Sequence, residues 1–237
     1  MYRAETLTVQ GSPMEVLVFE PEGPGPFPGL VVAQHLPVAH TGLTNDPFTL
    51  DVGEKLAANG YVAVIPFVFH WWPADADIEI KRAQFRDDHT IADLNATYDF
   101  LAGMEKVDDD RIGIMGHCWG GRITWIGASS NPRYKAAVML YGGRVKLAMG
   151  GVPAIELAAN IKCPVLGFFG NDDQNPSPED VDDMESALAN AQVEHTFYRY
   201  DNAGHGFQDD TNPSRYREGP ARDAWEKLLA FFDKELK

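Results

Sequence analysis

The chain has 237 residues, 44% hydrophobic and 23% charged, which is ordinary for a globular protein and enough for one large α/β domain or two small ones. Its formal charge of −15 argues against nucleic acid and anionic membrane surfaces as partners. Cys118 and Cys163 alone make no disulfide framework, Met1 to Thr6 lack a signal-peptide core, and no apolar run approaches the ~20 residues that span a bilayer, so the expectation is a soluble, cytoplasmic protein.

In chain order, residues 5–19 read as a hairpin around Gly11-Ser12-Pro13, followed by a Pro/Gly loop from Pro21 to Pro28. Gly29 to Gln34 is a continuous apolar run, the mark of a strand buried on both faces. Residues 48–59 suit a helix that stops at Gly60, and Tyr61 to Pro66 is the next buried strand. A loop with Phe67, Phe69, His70, Trp71 and Trp72 precedes one long helix over 81–102, with Ile91, Leu94, Tyr98 and Leu101 at helical spacing. Strands follow at 112–115, 136–141, 164–169 and 195–200. Ser177-Pro178-Glu179-Asp180 opens a helix with a capping pattern, and residues 214–235 close the chain as a helix with Trp225, Leu228, Leu229 and Phe232 inward.

Strand and helix thus alternate from residue 29 onward, which predicts a mostly parallel central sheet with helices on both faces. No repeat or linker divides the chain, so residues 1–237 are expected to form a single domain. In such sheets, sites form at the carboxyl ends of the strands, where loops 34–37, 116–121, 170–176 and 201–208 all fall.

The loop Gly116-His117-Cys118-Trp119-Gly120-Gly121 sits between a strand and a helix-like stretch. A strand turning sharply into a helix, with glycines two residues either side of a nucleophile, is the nucleophile elbow of α/β-hydrolases, here with cysteine at its centre. The glycines leave room for a strained backbone, and the helix N-terminus favours a thiolate. A buried, inert cysteine in a Gly-rich turn is the competing reading. Cys163, at the start of a strand on the far edge, reads as an inert packing residue.

A thiol nucleophile needs a base, and the base an orienting acceptor, in the chain order nucleophile, acid, histidine. Only His195 and His205 follow Cys118; His195 begins a strand, while His205 lies between two glycines and is the candidate base. Gly170-Asn171-Asp172-Asp173 offers two carboxylates, and the fold's placement of the acid favours Asp173 over Asp172. A calcium loop over Asn171, Asp173 and Asn175 is disfavoured because Pro176 stands where such a loop needs glycine, so no metal is expected. The Trp119 N–H and an N–H from the loop after the first core strand, at Leu36, are the candidate oxyanion donors, although plain loop packing also accounts for Leu36.

With Gly-x-Cys-x-Gly-Gly at 116–121, Gly-x-x-Asp at 170–173 and His-Gly-Phe at 205–207, the chain resembles the dienelactone hydrolase family over essentially its whole length. The resemblance implies the α/β-hydrolase fold, no cofactor, and a Cys118-His205-Asp173 triad that opens enol-lactones or related esters through an acyl-thioester. Two departures stand out. The family's founding members carry a glutamate after the glutamine that ends the first core strand, where this chain has His35. They also hold the substrate carboxylate with arginines, one of them close after the histidine, where this chain has Gln208, Asp209 and Asp210.

The first departure predicts a thiol ionised without substrate. The second predicts a more neutral, apolar ester or lactone, with Arg82 and Arg86 either compensating or simply solvated. His35, Trp71, Trp72 and Arg86 are the expected pocket residues. A soft thiolate suits aryl esters and enol-lactones, with activated phosphotriesters as a side activity. The partner expected is a small-molecule ester or lactone, handled by a monomer or homodimer. Rival readings are a cysteine thioesterase or peptidase on the same triad, and a non-catalytic thiol redox sensor or binder.

Overall fold

A computed structural model describes residues 1–237. Eight strands form one sheet: β1 (Tyr2–Val9), β2 (Ser12–Phe19), β3 (Phe27–Ala33), β4 (Val62–Pro66), β5 (Val107–His117), β6 (Ala137–Leu140), β7 (Val165–Gly170) and β8 (His195–Tyr200). Their spatial order is β1-β2-β4-β3-β5-β6-β7-β8. The β1/β2 and β2/β4 pairs are antiparallel, and every pair from β4 to β8 is parallel. The interior strands β3, β4, β6 and β7 are buried almost throughout, which is why they read as unbroken apolar runs.

The helices are α1 (Val38–Thr41), α2 (Pro47–Ala58), α3 (Ile78–Ala83), α4 (Asp87–Ala102), α5 (Trp119–Ser130), α6 (Pro178–Asn190) and α7 (Glu218–Leu236), with a 3₁₀ turn at Ala154–Asn160. Asp46 caps α2 through the Thr49 N–H, and Ser177 and Asp180 form the expected capping box on α6.

Three expectations shift in detail. The hairpin turns on Gln10 and Gly11, at φ 48° and 86°, while Ser12 and Pro13 already pair in β2. A two-residue turn matching the strand twist needs positive φ at both centres, which proline does not adopt. The long helix over 81–102 is two helices. Between α3 and α4 the chain extends at Arg86 (φ −131°, ψ 134°), Phe85 is buried against Trp119, and the Asp87 N–H donates to Met149 O at 2.8 Å. Tertiary contacts therefore override helical periodicity there. In α7 the buried face is Ala221, Ala224, Leu228, Phe232 and Leu236, with Trp225 and Leu229 only half-buried.

The strand ends bring the loops together. Ala33 of β3 is in register with Gly116 of β5, so residues 34–37 lie beside the turn at Cys118. Gly170 of β7 pairs with Tyr200 of β8, setting loop 171–176 against loop 201–208.

Candidate active site

The Cys118 backbone sits at φ 56°, ψ −118°, a region costly for any residue with a side chain. The surrounding glycines make that turn possible. A Cβ on Gly120 would come within 2.2 Å of Ala33 O, and one on Gly116 within 2.3 Å of Gly120 O. The turn is so tight that the Cys118 N–H still reaches Leu140 O at 2.9 Å, and α5 starts at the next residue.

Cys118 Sγ lies 2.8 Å from His205 Nε2, and His205 Nδ1 lies 2.8 Å from Asp173 Oδ2. Asp173 is 3% exposed, and its other oxygen accepts from the Asn175 N–H at 2.8 Å, which fixes the carboxylate. Asp172 is exposed and contributes only its backbone, through an N–H bond to Ala203 O. The edge of the Tyr141 ring packs against the His205 ring at 5.3 Å. His195 is remote from this group and bonds Val193 O.

Charge is shared between thiol and imidazole. Burial pushes the Cys118 thiol upward, but hydrogen bonding and charge from His205, with hydrogen bonds from the Trp119 and Leu36 N–H groups, outweigh it and hold the thiol below its usual value. Burial pushes His205 downward, but Asp173 and the Cys118 sulfur outweigh it and raise the imidazole to about 10. Both directions favour a thiolate–imidazolium pair at neutral pH. The two N–H groups beside the sulfur are those expected to serve a developing oxyanion.

A hollow of about 300 Å³ opens over Cys118. Leu36, Trp119 and His205 line it, together with Arg82, Arg144 and Arg215. The hollow thus carries three guanidinium groups, where the sequence led to the expectation of a more neutral, apolar ester or lactone. Arg215 arrives by a route no motif marks. Turn bonds Asp209 N–H to Gly206 O, Asn212 N–H to Asp209 O and Arg215 N–H to Asn212 O fold the loop back over the site. Gln208, meanwhile, is buried, and its Oε1 accepts from His117 Nε2, 2.9 Å away.

None of the four residues expected to wall the pocket lines the hollow over Cys118. His35 Nε2 is 2.7 Å from Asp46 Oδ2, and its ring packs against Phe48 in a separate crevice with His117. The Asp46 carboxylate, itself held below its usual range by His35 and Thr49 against the opposing effect of burial, is what draws the ring there. Trp71 donates to Asp93 Oδ2 at 3.0 Å and stacks on His89. Trp72 donates to Gln84 Oε1 at 2.9 Å and stacks over Phe85, bracing the break between α3 and α4. Arg86 forms a two-pronged pair with Asp88 and lines a neighbouring hollow. Asn171 and Asp173, two of the calcium-loop candidates, spend their side chains on Asp201 and His205. Cys163 is free and buried, and burial pushes its thiol up to about 12.

No helix is long and apolar enough to cross a membrane. The model of the dienelactone hydrolase family matches residues 14–236. A protein of Methylorubrum extorquens named "Putative carboxymethylenebutenolidase" is 35% identical over 220 residues, 88% of this chain and 72% of that one. Among solved structures, a "Putative Dienelactone Hydrolase" from Klebsiella pneumoniae superposes with a TM-score of 0.86 at 30% identity, over 98% of this chain and 99% of the other. A dienelactone hydrolase-like promiscuous phosphotriesterase from metagenomic libraries shares the fold, with a TM-score of 0.83 at 20% identity over 100% and 99% of the two chains.

Proposed function

Since the chain belongs to the dienelactone hydrolase family, we propose that this hydrolase cleaves anionic lactones or activated carboxylic esters through an acyl-thioester on Cys118. The observation that carries the reading is the 2.8 Å contact between Cys118 Sγ and His205 Nε2, under a hollow lined by Arg82, Arg144 and Arg215. In a chain of net charge −15, guanidiniums at the site are what let an anion approach.

The geometry supports the following cycle. The Cys118 thiolate attacks the acyl carbon, and the carbonyl electron pair moves onto oxygen, held by the Leu36 and Trp119 N–H groups. The tetrahedral adduct collapses as the C–O bond breaks, and the leaving alkoxide or enolate takes the proton from His205. Having given up its proton, His205 is neutral, and acylation removes the negative sulfur that helped raise its pKa, so the imidazole stays unprotonated at neutral pH and is free to take a proton from water. Hydroxide then attacks the thioester, releasing the carboxylic acid and the thiolate. Asp173 keeps the imidazole oriented throughout. Thiolate is a good leaving group, so the route suits esters with stabilised leaving groups better than amides.

An aryl-ester assay of wild type beside Cys118→Ala and Cys118→Ser tests this. Loss of about 10³ or more in turnover for Cys118→Ala, with a thioester trapped on Cys118 in the wild type, supports it. Equal turnover in all three proteins dismisses the triad. The same soft nucleophile supports a side reaction with activated aryl phosphotriesters, readable as a slowly turning phospho-thiol adduct on Cys118 by intact-mass spectrometry. A wild-type protein that stays unmodified rules that side reaction out.

A further inference from the structure

Two neighbouring hollows share lining residues, and one of them lies over Cys118. The neighbour of the one over the sulfur has a volume of about 590 Å³ and is lined by residues of segments 79–86 and 144–150. Arg82 and Arg144 line both and stand between them. Phe85, Leu147 and Met149 give the second hollow its apolar side, and Phe85 packs edge-on against Trp119 at 5.0 Å.

The guanidiniums at this place are not equivalent. Arg82 donates to Glu79 Oε1 at 2.7 Å, and Arg86 is paired with Asp88. Arg144 makes neither a side-chain hydrogen bond nor an ion pair, and enters the hydrogen-bond network only through its carbonyl. Yet its backbone is among the most constrained in the molecule. It sits at φ 57°, a conformation unfavourable for an arginine. Arg122, wholly buried and ion-paired with Asp87, donates to Arg144 O and Leu147 O, each at 3.2 Å. At Gly143 a Cβ would come within 2.6 Å of Asn175 Oδ1, so the strand-to-loop exit is pinned as well. A guanidinium without an internal partner thus stands on a constrained backbone between two voids.

Resting on the acyl-thioester reading of Cys118, we propose that Arg144 selects an extended ω-carboxyacyl group. The apolar chain passes from the first hollow along Phe85, and the terminal carboxylate lies in the second hollow against Arg144. The leaving oxygen must face His205 to receive its proton, and His205 lines only the first hollow. That assigns the second hollow to the acyl side. The class of substrate is therefore an ester or lactone of a long dicarboxylic acid, larger than a compact lactone bearing its carboxylate next to the ring.

The test compares kcat/KM for para-nitrophenyl hydrogen suberate with that for para-nitrophenyl octanoate, which differs only in lacking the terminal carboxylate. Wild type should prefer the suberate by roughly ten- to hundredfold, the worth of a charge-assisted hydrogen bond, and a succinate half-ester should show a smaller preference over butanoate. Arg144→Gln should bring the suberate preference towards unity, mainly through KM, and Arg144→Lys should restore part of it. Leu147→Glu, a change at a half-exposed side chain that leaves the loop's hydrogen bonds in place, should lower the same ratio by opposing charge. A wild-type ratio near unity, or a ratio that neither substitution moves, overturns the subsite. Failure of wild type on para-nitrophenyl acetate would instead overturn the reading of Cys118.

Discussion

At the residue scale, the reactivity of Cys118 is a matter of who touches the sulfur. The side chain that follows Gln34 is drawn off by Asp46, so His205 is the side chain hydrogen-bonded to the thiol. With the thiol lowered and His205 raised to about 10, both directions favour the ion pair at neutral pH. Alkylation of Cys118 by iodoacetamide should therefore rise and level off at lower pH than that of an ordinary thiol. A rate that climbs only above about pH 8, as for an ordinary thiol, contradicts the ion pair. Asp173→Asn should keep the fold and lower kcat by about 10³–10⁴, because the amide no longer holds the imidazole in the reactive tautomer. A loss in KM alone would assign Asp173 to substrate binding.

These three side chains were legible because each follows from chain order and a short glycine-marked motif. The arginines were not. Arg144 acquires its place from a left-handed backbone and from Arg122, and Arg215 from successive turns, neither of which leaves a periodic trace in sequence. The expected pocket residues Trp71, Trp72 and Arg86 fell one layer away for a related reason. The two tryptophans are claimed by Asp93 and Gln84, and Arg86, in the extended break between α3 and α4, by Asp88, pairings that no periodicity announces.

At the scale of elements, the elbow depends on two backbones passing at closest approach. Gly120→Ala would drive a methyl into Ala33 O, which backbone alone can relieve. We expect a loss of about 2–4 kcal/mol in denaturant unfolding and a fall in kcat, since Trp119 N–H and Leu36 N–H lie on the two segments forced apart. Unchanged stability would mean that the β3 exit loop is soft. Asp46→Ala removes the cap of α2 and the partner of His35 together, with an expected cost of about 1–2 kcal/mol. Strands and helix caps were the readable part at this scale, because burial on both faces and Ser177-Pro178-Glu179-Asp180 write themselves into composition. The division of residues 81–102 was unreadable because helical spacing continues across it while Phe85 and Asp87 answer to distant partners.

At the scale of the whole molecule, one sheet runs unbroken from β1 to β8, and α7 returns to it, with the Leu236 carbonyl meeting Arg111. We propose on this ground that the chain is one cooperative unit. Differential scanning calorimetry should give a single endotherm coincident with loss of esterase activity, and two resolved transitions would contradict it.

The two cysteines divide sharply in character, one with its thiol held below its usual value beneath an open hollow and the other buried with its thiol pushed up to about 12. Unmutated protein is thereby equipped for titration of its own working sites. A limiting electrophile at neutral pH should label each molecule once, so the bound fraction counts competent molecules in any preparation and normalises every rate to them.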